Sequence, residues 1–198
     1  MSYAYKNTFQ KSMGKIALRL VNDPQIQDKI LRRFDELMDD NKNADSSRAF
    51  HLYRNILPSI AVYQGCLEST ADKDKSYKLA HTAMINSCKN TGKAMTVFGK
   101  LPFSYEIFRK AMPYIMKKSY DDKLWNFVWK QVDKKAIRVD AGSCLYFDTC
   151  VRYGVPELGS IFCEGDDECY GSMKHIGWGR TITIAKGGDI CDFYFYKK

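Results

Sequence analysis

The sequence lacks any long apolar run, the feature that most directly identifies a membrane protein. No stretch approaches the roughly eighteen consecutive apolar residues that a membrane-spanning helix needs. The opening residues, MSYAYKNTFQ, also lack the apolar centre of a signal peptide. We therefore predict a cytoplasmic chain with no membrane partner.

Paired cysteines are missing as well. The chain has seven cysteines, an odd number, and no two of them stand at the Cys-x-x-Cys spacing of a zinc knuckle. In a cytoplasmic chain this pattern predicts free thiols rather than disulfides. No cofactor follows from the sequence; a divalent metal and a homo-oligomer both remain open.

Histidine is scarce, with three in the chain. His51 and His81 lie in the part predicted to be helical, and His175 precedes the third predicted strand. This distribution does not assemble a histidine-based catalytic triad, and a lone histidine is more often a core or surface residue than a catalyst. We keep His51 as a candidate substrate-binding residue because it shares a predicted helix with the segment NILPSIAVY.

The chain is basic, with a net charge of +8. The lysines are scattered and interleaved with aspartate and glutamate, so no segment has the block of basic residues typical of a nucleic-acid-binding surface. A positive field of this kind favours small anionic molecules. We predict a small-molecule substrate as the partner, and no nucleic acid.

The hydrophobic pattern predicts an α+β fold in one domain, residues 1–198. A content of 45% hydrophobic and 14% aromatic residues is enough for one sizeable core. Up to about residue 118 the apolar period is helical, with a helix opening at Asp23-Pro24 and a second that Pro58 must kink or break. From about residue 119 the period shortens to two. The predicted strands are LWNFVWKQV, AIRVDA, IGWGRTITIA and ICDFYFYK, an antiparallel sheet interrupted by a helical stretch over residues 143–173.

Two predicted helices each place a thiol one turn from a carboxylate. In SCLYFDTCVRYG, which Ser143 can cap, Cys144 and Asp148 are four residues apart. In ELGSIFCEGDDECYG, Cys163 lies three and four residues before Asp166 and Asp167. Two interpretations remain open: the small thiols fill gaps in the core while the carboxylates face water, or the groups line a common pocket.

The last two predicted strands add a cation and a second thiol-carboxylate pair. Arg180 shares one face of the third strand with the large apolar residues Trp178, Ile182 and Ile184, and Cys191 and Asp192 point to opposite faces of the fourth. A half-buried arginine needs an anionic partner. That partner is either Asp192, in a cross-strand ion pair that fixes the register, or the carboxylate of a bound substrate.

The order of these motifs resembles the L-2-amino-thiazoline-4-carboxylic acid hydrolase family. The resemblance rests on NILPSIAVY, CLYFDTCVRYGVPELGSIFCEGDD and GRTITIAKGGDICDFYF, and it is densest over residues 144–195. The glycine-rich turn and Cys-x-Phe ending are also similar to vinyl-reductase-type small-molecule-binding domains related to trafficking-complex subunits. Some of those domains hold zinc near this hairpin, but Arg180 and Thr183 stand where two of the ligands are expected, so the likeness does not carry a zinc site over.

The family resemblance implies a hydrolase that opens a cyclic amidine-type C=N/C–N bond in a small carboxylated substrate. It implies Cys163 as the leading catalytic thiol and Cys191 as the second choice, with Asp166 or Asp167 as base or amidinium acceptor. Arg180 would hold the substrate carboxylate, and the other candidate substrate-binding residues are Tyr146, Asp148, Asp192, Cys144 and His51. The alternative is a non-catalytic small-molecule-binding or sensing module that uses the same cysteines for packing.

Overall fold

A computed structural model describes residues 3–198 and contains ten α-helices and four strands in that range. The helices are α1 (Lys6–Gln10), α2 (Gly14–Leu20), α3 (Pro24–Asp40), α4 (Ser46–His51), α5 (Leu57–Thr70), α6 (Lys73–Phe98), α7 (Ser104–Ser119), α8 (Asp122–Trp125), α9 (Leu145–Arg152) and α10 (Gly159–Tyr170). The strands are β1 (Phe127–Val132), β2 (Ala136–Ala141), β3 (Ile176–Gly179) and β4 (Cys191–Lys197). The α+β class is confirmed.

Helix α3 begins where the sequence predicts. The Asp23 side chain accepts a hydrogen bond from the backbone N–H of Gln25, and Pro24 occupies the first helical position, where its missing N–H costs nothing. The predicted apolar stripe of α3 is buried: Ile26, Ile30, Phe34, Leu37 and Met38. The helix is therefore anchored by its cap and by one apolar face.

The helix distortion predicted at Pro58 is also present, as a bulge just before the proline. A π-helical segment, Leu52–Ile56, separates α4 from α5, and Pro58 lies in the first turn of α5. Proline has no N–H to offer the carbonyl one turn before it, so the backbone widens there instead of continuing as a regular α-helix. The bulge lets the chain remain helical through residues 46–70 despite the proline.

The sheet has four antiparallel strands in the order β1-β2-β4-β3. This confirms the predicted sheet, including the antiparallel pairing of the last two strands, whose connection is too short for a crossover. Residues Ala141 and Cys191 are paired between β2 and β4, and Asp140 is paired with Asp192 beside them. Consecutive residues of a strand point to opposite faces, so Cys191 and Asp192 lie on different sides of the sheet, as predicted.

The third predicted strand is too long. Strand β3 ends at Gly179, and Ile184–Lys186 form a single 3₁₀ turn. The Asp192 carboxylate accepts hydrogen bonds from the backbone N–H groups of Thr181 (2.9 Å) and Ile182 (2.7 Å). A side chain thus takes the donors that a longer strand would have used, and Arg180 lies just beyond the strand.

The chain divides into two compact units, whose boundaries fall within helices α6, α9 and α10. The first unit contains the described residues up to Ser87 together with Thr149–Ile161. Its core includes a close crossing of α3 and α5, where a Cβ added at Gly65 would lie 2.6 Å from backbone atoms of Ile30. The larger helices of this unit therefore touch through their backbones.

The second unit comprises Cys88–Asp148 and Phe162–Lys198. Its sheet buries Ile137, Ile176 and Phe195, and the end of α6 together with α7 covers that surface. Within it the Tyr105 hydroxyl donates to the Asp133 carbonyl at 2.9 Å. The organisation of the chain as one domain, with a helical half to about residue 118 and an α+β half after it, stays a prediction.

Within residues 3–198, no helix is both long enough and apolar enough to cross a membrane.

Candidate functional site

Arg180 is the centre of a polar cluster in the second unit. Its guanidinium lies 3.2 Å from Oδ2 of Asp166 and 3.0 Å from Oδ1 of Asp167, and it donates to the Cys163 carbonyl at 2.7 Å. The three partners lie within one turn of α10, where their spacing of three and four residues places them on one side of the helix. The structure therefore brings Arg180 together with Cys163, Asp166 and Asp167.

The tryptophan two residues before Arg180 supports the cluster. Trp178 Nε1 donates to Asp167 Oδ1 at 2.8 Å, and the Arg180 guanidinium lies 5.3 Å from the centre of the Trp178 ring. Only 6% of the Arg180 side chain is exposed. A buried guanidinium held by two carboxylates, a carbonyl and an indole has a fixed position.

The Asp166 carboxyl has an altered acidity. Burial by the surrounding protein raises its pKa, Arg180 opposes the shift and the nearby Asp167 charge adds to it; the net pKa is about 6. The side chain nevertheless keeps 42% of its surface exposed, so protein surrounds the carboxylate while solvent still reaches it. A carboxylate of this kind can exchange a proton with a bound molecule near neutral pH.

Three thiols, those of Cys144, Cys163 and Cys191, are close enough to influence one another electrostatically. Burial raises the pKa of each, that of Cys144 to about 12, so all three are protonated at neutral pH. Cys163 differs from the other two because two cations, Arg180 and Lys186, oppose the effect of burial. It is the thiol with the best electrostatic support for a thiolate.

Thr183 also lies beside the Cys163 thiol, and its hydroxyl lowers the pKa of that thiol. The hydroxyl is buried and makes no hydrogen bond of good geometry with the rest of the described chain. Thr183 begins the 3₁₀ turn, and its carbonyl accepts from the N–H of Lys186 at 3.0 Å. This turn therefore places a hydroxyl beside the Cys163 thiol, and the charge of Lys186, in the same turn, also lowers the pKa of that thiol.

Cys191 has the environment of a packing residue. It is 5% exposed, it contacts Trp125 and Ala141, and its sulfur accepts a hydrogen bond from the Ile184 N–H at 3.3 Å. Of the three thiols, that of Cys191 belongs to a strand of the sheet. Its hydrogen bond with Ile184 connects β4 to the 3₁₀ turn.

The ion pair between Arg180 and Asp192, one of the two alternatives that the sequence left open, does not form among the described residues. Arg180 is paired with Asp166 and Asp167, and Asp192 accepts from the Thr181 hydroxyl at 2.6 Å as well as from the two backbone amides. Burial alone would raise the pKa of Asp192, but these hydrogen bonds lower it overall. Because β3 ends before Arg180, the side chains of Arg180 and Asp192 do not face each other across a ladder.

The remaining candidates on α9 have separate surroundings. Cys144, rather than Ser143, caps the helix, since its sulfur accepts from the Phe147 N–H at 3.5 Å while the Ser143 hydroxyl donates to the Leu124 carbonyl. The Tyr146 ring packs against Phe162, with centroids 4.8 Å apart. Asp148 is exposed, and partial burial of its carboxyl raises its pKa.

His51 belongs to the first unit, not to the unit that holds the cluster. It is the last residue of α4, is 2% exposed and packs edge-on against Phe50 at 5.3 Å. Its candidacy as a substrate-binding residue stays a prediction.

Three residues of the cluster were not predicted as site residues: Trp178, Thr183 and Lys186. Trp178 could have been found, because on a strand it shares a face with Arg180 two residues later. Thr183 and Lys186 could not, because the predicted strand would have carried them away from α10. Across residues 3–198 no three side chains of His, Cys, Asp or Glu converge as metal ligands, and the divalent metal stays a prediction.

Comparison with known proteins gives one match. A family model described as L-2-amino-thiazoline-4-carboxylic acid hydrolase matches residues 48–195, well over half of the chain. Comparisons with curated proteins and with solved structures found no match.

Proposed function

The chain belongs to the L-2-amino-thiazoline-4-carboxylic acid hydrolase family, and on that basis we propose that it hydrolyses a small cyclic amidine that carries a carboxylate, such as 2-amino-thiazoline-4-carboxylate. The observation that carries the proposal is the position of Asp166, a solvent-accessible carboxylate with a pKa near neutral, one helical turn from Cys163. A thiol and a base in this arrangement suit attack on an amidine carbon.

The reaction needs a nucleophile at the carbon that lies between the two nitrogens and the ring sulfur. In our proposal the Cys163 thiol adds to this carbon and the ring C–N bond breaks; the ring nitrogen leaves as an amine, taking up the proton of the thiol and one from the exocyclic amino group. Water then adds to the same carbon and the bond to Cys163 breaks, which gives a carbamoyl product with a free amine and regenerates the Cys163 thiol. The sum is addition of one water molecule.

Asp166 has two tasks in this scheme. Its carboxylate accepts hydrogen bonds from the amidinium, and it takes the proton from the Cys163 thiol and later from water. Asp167 is less suited, since Oδ1 already accepts from both Trp178 and Arg180. We assign Asp167 the role of holding Arg180, and through it the Cys163 turn.

The substrate carboxylate needs a cation, and Lys186 meets that need better than Arg180. The Arg180 side chain is 6% exposed and already bound to two carboxylates and a carbonyl. Lys186 is exposed and forms no ion pair with any described residue, and its charge is felt at the Cys163 thiol. We therefore move the carboxylate-binding role, which the sequence resemblance implied for Arg180, to Lys186.

Turnover of 2-amino-thiazoline-4-carboxylate by the purified protein tests the function. The carbamoyl product is followed by mass spectrometry, with and without a divalent metal. Product formation at a rate proportional to enzyme concentration supports hydrolysis; saturable binding of the compound without any product would favour the non-catalytic binding module instead.

A pair of substrates tests Lys186. Lys186→Met should raise KM for the carboxylated substrate while leaving kcat nearly unchanged, and it should leave turnover of 2-aminothiazoline, which has no carboxylate, unaffected. Lys174→Met, at another exposed lysine of the same unit, is the control. An equal loss with both substrates would refute the assignment.

A further inference from the structure

Two cysteines outside the candidate site meet where α6 passes α10. A Cβ added at Gly92 on α6 would lie 2.5 Å from the Glu168 carbonyl oxygen and 3.8 Å from the Cys169 Cα on α10. Because real Cβ atoms do not approach so closely, the absence of a side chain at Gly92 is what allows the two backbones to touch. Both segments belong to the second unit.

The close crossing brings the two thiols together. Cys88 lies one turn before Gly92 on α6, and the Cys169 sulfur is 4.0 Å from the Cys88 carbonyl oxygen. The Cys88 side chain is also near enough to raise the pKa of the Cys169 thiol. Cys88 is 9% exposed and Cys169 is partly exposed, so one of the two can be reached from solvent.

The acidity of the pair reflects this contact. The Cys88 side chain, and after it burial, raise the pKa of Cys169. Two neighbouring thiols, of which one attacks a disulfide and the other resolves the mixed disulfide, are the arrangement that thiol-disulfide exchange requires.

We propose that Cys88 and Cys169 are a modification site that forms a reversible disulfide between α6 and α10 when the chain meets a small disulfide such as oxidised glutathione. One thiolate of the pair attacks a sulfur of the reagent and releases one reduced glutathione. The second thiol loses its proton and attacks the mixed disulfide, releasing another. Two protein thiols are oxidised, and one external disulfide is reduced to two thiols.

The site bears on the candidate active site through α10. Cys169 lies three residues after Asp166, one turn along the same helix, and the Asp166 charge contributes to the raised pKa of Cys169. A disulfide at Cys169 links α10 to α6. Helix α10 also carries Cys163, Asp166 and Asp167. The crosslink also joins residues 81 positions apart, which restricts the unfolded chain.

Peptide mapping after oxidation tests the proposal without any assay of turnover. The folded protein is equilibrated with reduced and oxidised glutathione, and the remaining thiols are alkylated before digestion. We expect one linked peptide pair, Cys88 with Cys169, that is lighter by two hydrogen atoms and disappears on reduction. The oxidised protein should have a higher melting temperature than the reduced protein.

Serine variants supply the controls. Cys88→Ser and Cys169→Ser should each prevent the crosslink, whereas Cys66→Ser, at a buried cysteine of the first unit, should retain it. The wild-type peptide map is decisive even if a variant fails to fold. The proposal is overturned if the wild-type protein stays fully reduced at a strongly oxidising glutathione ratio, or if the linked cysteines are instead two of Cys144, Cys163 and Cys191.

Discussion

Replacement of Asp192 by alanine should destabilise the fold, although Asp192 makes no ion pair with Arg180. The Asp192 carboxylate accepts three hydrogen bonds, two from Thr181 and one from the Ile182 backbone. These bonds fix the bend that follows β3. The bend lies between Arg180 and Thr183 in the chain, and both of these residues contact Cys163.

The size of the effect follows from the number and exposure of these bonds. Hydrogen bonds to charged groups contribute about 1.5–3 kcal/mol each when well buried. Those of Asp192 are at the surface, so we expect about 2 kcal/mol for all three together, after discounting for solvent. For a chain of this length, about 2 kcal/mol lowers the melting temperature by roughly 4–8 °C.

Thermal unfolding followed by circular dichroism at pH 7 measures this loss. Asp189→Ala is the matched control, because Asp189 is an exposed aspartate in the same connection. Asp192→Asn, which keeps one carbonyl oxygen as acceptor, should fall between the wild type and Asp192→Ala. If Asp192→Ala melts within 1–2 °C of the Asp189→Ala control, by the scale that relates stability to melting temperature, then the three bonds do not hold the bend.

The pH dependence gives a second check on Asp192. Its hydrogen bonds lower the pKa in the folded state below the value in the unfolded chain. The stabilisation is therefore present above the unfolded pKa of about 3.9 and is lost as the pH falls through the folded pKa. The difference in stability between the wild type and Asp192→Ala should be constant near neutral pH and should shrink in acid; a difference that grew in acid would contradict the mechanism.

Three further predictions concern the thiols and the base. Cys163→Ser should leave the melting temperature nearly unchanged and abolish turnover; retained activity would make water the nucleophile, and unfolding would make Cys163 a packing residue. The kcat/KM of the wild type should rise with pH through about 6, where Asp166 loses its proton. Asp166→Asn should lose activity at every pH. If Asp166→Asn were active and its kcat/KM rose with pH in the same way, Asp166 would not be the base. Titration of denatured, non-reduced protein, purified without reductant and shielded from air, should count the seven thiols in the sequence, and five or fewer would reveal a disulfide.

The elements of the fold that the sequence predicted are those determined by local pattern. Helix α3 has a cap, a proline at its first position and one apolar face, all within residues 23–38. The connection before β4 is too short for anything except an antiparallel return. These features depend on neighbours in the chain, so no knowledge of distant contacts was needed.

The end of β3 depended on a distant side chain and was therefore missed. The alternating pattern of WGRTITIA is that of a strand, and it continues well past Gly179. What ends the strand is the Asp192 carboxylate, which takes the N–H groups of Thr181 and Ile182. Periodicity reports which residues are apolar and does not report which backbone donors a side chain will take.

The candidate site was predicted in part for the same reason. The spacing of Cys163, Asp166 and Asp167 is local, and it places these three residues on one side of a helix. The partner of Arg180 is not local, and the strand pattern pointed to Asp192 or a substrate carboxylate instead. Only the packing of the residues after β3 against α10 selects Asp166 and Asp167 over Asp192.

The charges of the cluster explain why Arg180 cannot both hold Asp166 and Asp167 and bind the substrate carboxylate. Arg180 faces two carboxylates, so the three groups together carry a net negative charge when Asp166 is ionised. That charge would repel a substrate carboxylate and attract an amidinium. On our proposal the amidinium end of the substrate therefore lies at Asp166 and the carboxylate end at Lys186. The raised pKa of Asp166 fits this division, because a carboxylate that Arg180 neutralised completely would be too weak a base to take a proton from a thiol.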